Sequence, residues 1–430
     1  MVKIRLTKDI FGEARVERRR LTGIFGPKQI QAEGLSDKEI YAKIKYACER
    51  LPLKNIAQKK KRIVIVTDDI TRTTPLPRLL FPLLEILGEA GIERDRIIML
   101  IALGTHRKMT REEIEGKFGG FIASSYRIEN HNWDNPDSLY SLGYFDNNYE
   151  IVLNRFVQAA DLIISIGSII PHATTGFSGG GKTIVPGICG EKTIESTHWK
   201  ALDFTMNEIL GVYSNPIRNM IDQICRKIGL DMIINTILIN GDTIYDLVAG
   251  DPINAFQKGV PLCREVYEVK IPEKADIVIA EAYPMDIDLR QAIKALCSAD
   301  LVCNDGGIMI LPAECPEGIA PQFPDFIRYG FKDPEGLFLE VEQGRCKQKL
   351  LAYSLVAVGR ILSKRHKAIL VSPNITLKQA ESLGFLWAPD MQNALDKASF
   401  SLGKNSRVVV LKQASEILPK ISSEDQNVRT

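Results

Sequence analysis

The sequence predicts an α/β protein of two domains, and three observations carry that expectation. The chain has 430 residues, more than one ordinary core spans. Short, continuously apolar runs alternate with segments whose apolar residues recur at helical spacing. Several of those runs end on polar residues, as strands of a parallel sheet do where they reach a ligand crevice. Continuous apolar strands between helices indicate a parallel sheet covered on both faces. The expected fold is therefore an N-terminal, Rossmann-like parallel-sheet domain over 1–268 and a second α/β domain over 269–430.

The elements follow in chain order. Residues 62–67 (RIVIVT) form a buried strand that ends on Asp68-Asp69. Residues 76–90 are helical, with Leu79, Leu80, Leu83, Leu84 and Leu87 on one face. The strand at 97–103 runs into Gly104-Thr105-His106-Arg107, and the strand at 160–170 runs into Pro171-His172. A second set begins near Ala275 (ADIVIAEA) and continues through 308–311 and 368–371 to 407–411. The boundary falls at 267–274, a Lys/Glu/Pro segment before the new strand. From Lys420 onward the sequence is polar and reads as a frayed end.

Composition narrows the function classes. Apolar residues make up 45% and charged residues 25%, the balance of a globular protein. Net charge is +2 without a long basic run, which argues against a nucleic-acid surface. The longest apolar stretches, such as 161–170, fall short of the roughly 20 residues that a membrane helix needs. The N-terminus, MVKIRLTKDIFG, lacks a signal-peptide core. Eight cysteines are scattered with no CxxC pair, so reduced, buried thiols and a cytoplasmic location are expected.

The densest chemistry lies between Pro171 and His198. Its glycine-rich loop, with Gly179, Gly180 and Gly181 before Lys182, reads as a holder for a phosphorylated group. Gly176, Gly181, Lys182 and Thr183 also satisfy the P-loop pattern GxxxxGK[ST]. A P-loop follows its strand directly and opens a long helix; here PHATT intervenes, and Pro186-Gly187 interrupts any helix. A P-loop phosphohydrolase, with Asp68 imitating a Walker-B aspartate, and a ligand-free glycine turn both stay open at this point.

Only five histidines occur, so their positions are informative. His106 and His172 sit at strand ends, and His198 follows in Ser-Thr-His-Trp. Singly, each reads as a structural histidine. Together they suit proton exchange near neutral pH or ligation of nickel, zinc or copper. His131 and His366 lack such a setting and read as surface or structural. Arg72, in DDITRTTP, can clamp a phosphate or carboxylate, with Asp69 orienting it or binding a hydroxyl. The alternative for this segment is a helix start capped by Thr73 or Thr74. In 286–296 (DIDLRQAIKAL), Gln291 and Lys294 share a helix face and can hold a carboxylate; otherwise the face is an ordinary solvated one.

In order, DDITRTTP, GTHR, PH with GFSGGGKTIVPG, THW and RQAIKAL resemble the lactate racemase family, over about residues 65–300. That family uses a nickel-pincer nucleotide, a pyridinium mononucleotide with two sulfur-bearing arms and a nickel–carbon bond. The resemblance implies Lys182 as the covalent attachment point, His198 as the protein ligand to nickel, and His106 and His172 as the acid/base pair. It implies Asp69 and Arg72 against the cofactor, Gln291 and Lys294 on the substrate, and an active site in the cleft between the domains. A 2-hydroxy acid would be racemised or epimerised by reversible hydride transfer, and cofactor-making enzymes are implied as partners. One position departs from the pattern. Lactate-specific members carry an aromatic residue immediately before the glutamine, and Arg290 stands here. An added cation favours a second carboxylate or a hydroxylated chain, an aldonate included. A non-catalytic nickel carrier is the reading from another class, and the scarcity of histidine weighs against it.

Overall fold

The structure is a computed structural model that describes residues 1–28, 30–59, 61–146 and 149–422. Two six-stranded sheets organise it. In the first the order is Thr243–Gly250, Met232–Ile239, Leu162–Ser168, Ile63–Thr67, Ile97–Ile101, Arg127–Asn130. All its pairings are parallel except that of Thr243–Gly250 with Met232–Ile239, which is antiparallel. The second sheet is parallel throughout, in the order Leu386–Ala388, Lys367–Val371, Cys303–Pro312, Ala275–Ala280, Val408–Leu411, Leu21–Phe25.

The continuous apolar runs are continuous because helices cover both faces. Ile63, Val64, Ile65 and Val66 are fully buried, as are Ile277, Val278 and Ile279 in the second sheet. Helix Leu76–Glu89 lays Leu76, Leu79, Leu80, Leu83 and Leu87 against the first sheet. The largest apolar cluster includes Val64 and Ile163, passes through Ile184 and Ile221, and reaches Val278, Leu311 and Leu355. It therefore spans both sheets' units. All eight cysteines are buried and unpaired.

Two sequence expectations differ from what is observed. A division at 268/269 places residues 1–25 with the first sheet, yet strand Leu21–Phe25 pairs with Val408–Leu411 in the second. Thr7 donates its hydroxyl to Glu281 at 2.9 Å, and Lys8 pairs with Asp286 at 3.2 Å, fastening the same segment there. The frayed end read from Lys420 does not hold at its first residues. Leu418–Ile421 is a strand paired with Glu268–Ile271, because Leu418 and Ile421 bury their side chains while Lys420 reaches Glu268. The remainder of that reading, 423–430, lies outside the described residues.

Direct contacts fix the two units against each other. The Arg107 guanidinium bridges Glu113 (2.8 Å) and Glu317 (2.7 Å). The Trp199 indole N–H donates to Glu342 at 2.7 Å, and its ring stacks on Phe338 with centroids 5.2 Å apart. The Tyr353 hydroxyl meets Thr174 Oγ1 at 2.7 Å. Among the described residues no helix is long and apolar enough to cross a membrane.

Candidate active site

Strands Ile63–Thr67 and Leu162–Ser168 are neighbours, and the chain leaves them in opposite directions across the first sheet. Such a reversal opens a crevice at the carboxyl ends of the strands. A cavity lies there. The first unit lines it with Asp68, Asp69, Arg72, His106, His172, Gly179, Lys182 and His198. The second unit contributes Arg290, Gln291, Lys294 and Tyr353. Every candidate side chain named from the sequence, from Asp69 to Lys294, thus reaches one cavity. Gly180 and Gly181 are not on its wall.

Their packing explains why. A Cβ on Gly181 would lie 2.3 Å from Cys225 Sγ, and one on Gly180 would meet the Phe256 ring at 3.1 Å. Gly180 also holds a positive φ of 58°. These two glycines let the turn sink onto helices Pro216–Ile228 and Pro252–Tyr267. Arg218, fully buried, anchors the turn by donating to the carbonyls of Phe177 and, at 3.2 Å, Gly179. The segment Gly180–Thr183 is one short 3₁₀ turn and opens no long helix. The Thr183 hydroxyl turns inward to Ser165 at 2.5 Å rather than toward a phosphate-bound metal.

Asp69 is nearly fully buried, and its Oδ2 lies 2.5 Å from His106 Nδ1. The other oxygen, Oδ1, accepts from Thr71 N (3.1 Å) and Thr71 Oγ1 (2.6 Å). Burial works against its charge, but His106 and Thr71 hold the carboxyl below its ordinary value. The contact assigns the Nδ1 proton of His106 to the Asp69 side and leaves Nε2 as a bare lone pair. Burial lowers the His106 pKa, although Asp69 pulls the other way, so the ring is neutral at neutral pH. Asp69 therefore orients His106, where the sequence had paired it with Arg72. Arg72 Nη1 instead donates to Thr71 O at 3.1 Å and Thr71 Oγ1 at 3.3 Å.

Thr74 does not cap the helix as the alternative reading had it; the cap position is Pro75, without a side-chain bond. The Thr74 hydroxyl is bonded to Asp68 and lies 2.5 Å from Ser168, which continues to Thr236 at 2.8 Å. Lys117 sits 3.5 Å from Asp68 and donates to the carbonyls of Arg72 and Thr74. This polar chain fixes the turn that carries Asp69.

His172 accepts a hydrogen bond from Thr174 N at Nδ1 (3.2 Å), so its neutral ring carries the proton on Nε2. Burial, then Lys182 and Lys294, depress its pKa well below the usual value. Lys182 has no ion-pair partner among the described residues. Burial, Arg72 and Lys294 push its pKa well below the ordinary lysine value, which favours the free amine. His198 donates Nδ1–H to Ile194 O at 2.8 Å and stacks edge-on against Tyr353 at 4.9 Å. Burial lowers its pKa to about 3, so Nε2 keeps a lone pair for a metal. No group of three or more His, Cys, Asp or Glu gathers for a metal among the described residues. A metal at His198 must bring its other donors with it.

In the second unit, Asp288 caps the turn Leu289–Ala292 by accepting from Gln291 N at 2.7 Å. Lys294 donates to Gln291 Oε1, and burial lowers its pKa to about 7, with Arg72 and Arg290 adding to the shift. His131 and His366 are buried and structural: His131 Nε2 lies 2.8 Å from Cys189 O, and His366 Nε2 lies 3.1 Å from Asp300. Sequence reasoning missed Tyr353, Lys117 and Arg218. No motif marks them, since their roles follow from where three helices, Lys349–Lys364, Arg111–Phe118 and Pro216–Ile228, dock.

Fold and cavity together define a two-unit α/β protein with its candidate site in the cleft. Residues 11–208 match the model of the lactate racemase N-terminal domain, and 270–418 match that of the lactate racemase C-terminal domain. The chain belongs to the lactate racemase family. It is 29% identical over 372 residues to a lactate racemase of Thermoanaerobacterium thermosaccharolyticum, covering 85% of this chain and 86% of that protein. A lactate racemase of Lactiplantibacillus plantarum is 28% identical over 376 residues, covering 86% and 87%. The structure of the T. thermosaccharolyticum lactate racemase apoprotein superposes with a TM-score of 0.82 at 27% identity, covering 95% of this chain and 97% of that one. A Thermotoga maritima protein shares the fold, with a TM-score of 0.72 at 20% identity, covering 91% and 100%.

Proposed function

We propose that this chain is a 2-hydroxyacid racemase or epimerase that works with a nickel-pincer nucleotide tethered at Lys182. One observation carries the reading: Lys182, His198, His106 and His172 line a single cavity, all four with depressed pKa values. Both curated relatives are named as lactate racemases, which supports it.

The residues fit the group. Lys182 has no counter-ion among the described residues, and its depressed pKa favours the free amine that can form the covalent link. His198 offers one fixed imidazole nitrogen, and a pincer would supply the donors that the described residues do not gather there. Arg72, beside Asp69, can hold a phosphate. When bound, the group supplies an acceptor for the α-hydrogen with its electron pair, which spares the site a carbanion beside a carboxylate.

The chain's own residues do the rest. Lys294 and Gln291 hold the substrate carboxylate and keep C2 at the cavity centre. His106 Nε2 takes the hydroxyl proton, and Asp69 stabilises the imidazolium that forms. For the opposite enantiomer His172 takes the hydroxyl proton at Nε2, and to do so its ring gives up the Thr174 N–H contact and carries its own proton on Nδ1. The transient product is a 2-keto acid, which the cleft keeps from solvent.

The test follows the α-hydrogen. Holoenzyme made with the cofactor-synthesising enzymes is given one enantiomer of α-deuterated lactate or malate in ordinary water. The expected result is inversion with deuterium retained at C2. Inversion with deuterium washed out would mean proton abstraction and would refute the hydride reading.

A further inference from the structure

We propose that Arg290 reads a second carboxylate on the substrate, so that the preferred substrate is a four-carbon 2-hydroxydicarboxylic acid rather than lactate. The inference rests on the racemase reading above and names the substrate class of the same site.

Arg290 lines the cavity and is 9% exposed. Among the described residues its side chain makes one hydrogen bond, from Nη2 to Thr105 Oγ1 at 3.2 Å, and Nε is buried with no partner. It has no carboxylate within ion-pair distance among them. Its flat face lies over the Phe323 ring, 4.7 Å from the centroid. Asp288, the nearest acid along the chain, spends Oδ1 on Gln291 N. A buried guanidinium left this way is costly unless an anion completes it.

The charge inventory points the same way. The cavity carries Arg72, Lys182, Arg290 and Lys294 against Asp68 and Asp69. Asp68 is already beside Lys117, and Asp69 is bonded to His106. Tethering removes the amine of Lys182, a nucleotide phosphate draws on Arg72, and the C1 carboxylate draws on Lys294. Asp288 acts on Arg290 only from beyond ion-pair distance, so Arg290 is left without a bonded anion, and a monocarboxylate has none to give it.

Geometry supplies the spacing. Ile293 N bonds Leu289 O at 3.0 Å, so the backbone stays helical between Arg290 and Lys294. Residues four apart project from one helix face, with Cβ atoms roughly 5–6 Å apart. The two carboxylates of a four-carbon diacid fit that span. A planar fork pairs two-pronged with a carboxylate, whereas the hydroxyls of a sugar acid would leave the charge unpaired.

The test compares malate, lactate and gluconate as substrates of the holoenzyme, for the native chain, Arg290→Met and Arg290→Lys. Expected is a kcat/KM for malate at least about tenfold above lactate, with the malate:lactate ratio falling about 10- to 100-fold in Arg290→Met, mostly through KM. Arg290→Lys restores part of the ratio. Calorimetry on the cofactor-loaded chain gives a second readout: succinate binds more tightly than propionate, and Arg290→Met erases the margin. That comparison within the native chain stands even if the methionine variant fails to fold. A native preference for lactate or gluconate, or an unchanged ratio in Arg290→Met, overturns the inference. A holoenzyme inactive on all three, with the succinate margin intact, would instead sink the racemase reading and leave the assignment of Arg290 as a carboxylate binder.

Discussion

Replacing Asp69 by asparagine leaves the shape of the site and changes one proton. In the native chain Asp69 Oδ2, 2.5 Å from His106 Nδ1, can only accept, so Nε2 of the neutral ring is bare. An asparagine presents an N–H toward that nitrogen as readily as a carbonyl. The ring then re-protonates on Nε2, and the base is lost. Removing a positioned general base costs about 10²- to 10⁴-fold. The equivalent change in a serine-protease triad costs about 10⁴-fold by the same reversal of tautomer. The expected loss in kcat is therefore about 10²- to 10⁴-fold, or roughly 3–5 kcal/mol at 1.36 kcal/mol per decade. The pH profile has a definite sign. The neutral ring is active, and burial has lowered its pKa below 6.5 against the pull of Asp69. Native activity is thus retained as pH falls through 6.5 and is lost only as His106 protonates below that. Without the carboxylate the acid limb moves lower still. The assay is kcat and kcat/KM from about pH 5 to 8, with nickel and cofactor mass quantified on the same preparations. A rate within about threefold of native at equal loading, or an acid limb displaced upward, would refute the reasoning.

Two further outcomes are expected. His198→Ala removes the imidazole whose Nδ1–H is fixed by Ile194 O, so nickel should be lost on brief chelation while the mass adduct at Lys182 persists; nickel retained at the native level would remove His198 from the metal. Gly181→Ala drives a Cβ to 2.3 Å from Cys225 Sγ and should destabilise the fold by about 1–3 kcal/mol in urea unfolding. Cys225→Ala in the same chain should recover about 0.5 kcal/mol or more through coupling, and strict additivity would show that the two atoms do not meet.

The parts of the fold legible in the sequence were those that one local rule decides. Strands Ile63–Thr67 and Leu162–Ser168 are apolar at nearly every position because both faces are covered, and their polar ends could be read as a crevice. Membership of Leu21–Phe25 in the second sheet was not legible. Its partner, Val408–Leu411, is nearly 400 residues away, and alternation along a strand says nothing of its neighbour. The glycine run was visible as a turn, but what it packs against was not. Gly181 is small because of Cys225 and Gly180 because of Phe256, residues brought by two later helices. The histidines were visible by their scarcity, whereas their tautomers depend on Asp69 and on Thr174 N, which only the folded turn brings near. Arg290 stood out beside Gln291 from the sequence, whereas its buried Nε without a hydrogen-bond partner among the described residues needed the structure.

The central claim is that Lys182 carries the cofactor. Intact-protein mass spectrometry with peptide mapping, after co-expression with the cofactor-making enzymes, tests it most directly. The account predicts a single added mass on the peptide containing Lys182, with nickel in the same sample, and neither a mass nor activity in Lys182→Ala. An unmodified Lys182 in a preparation that racemises 2-hydroxy acids would contradict it.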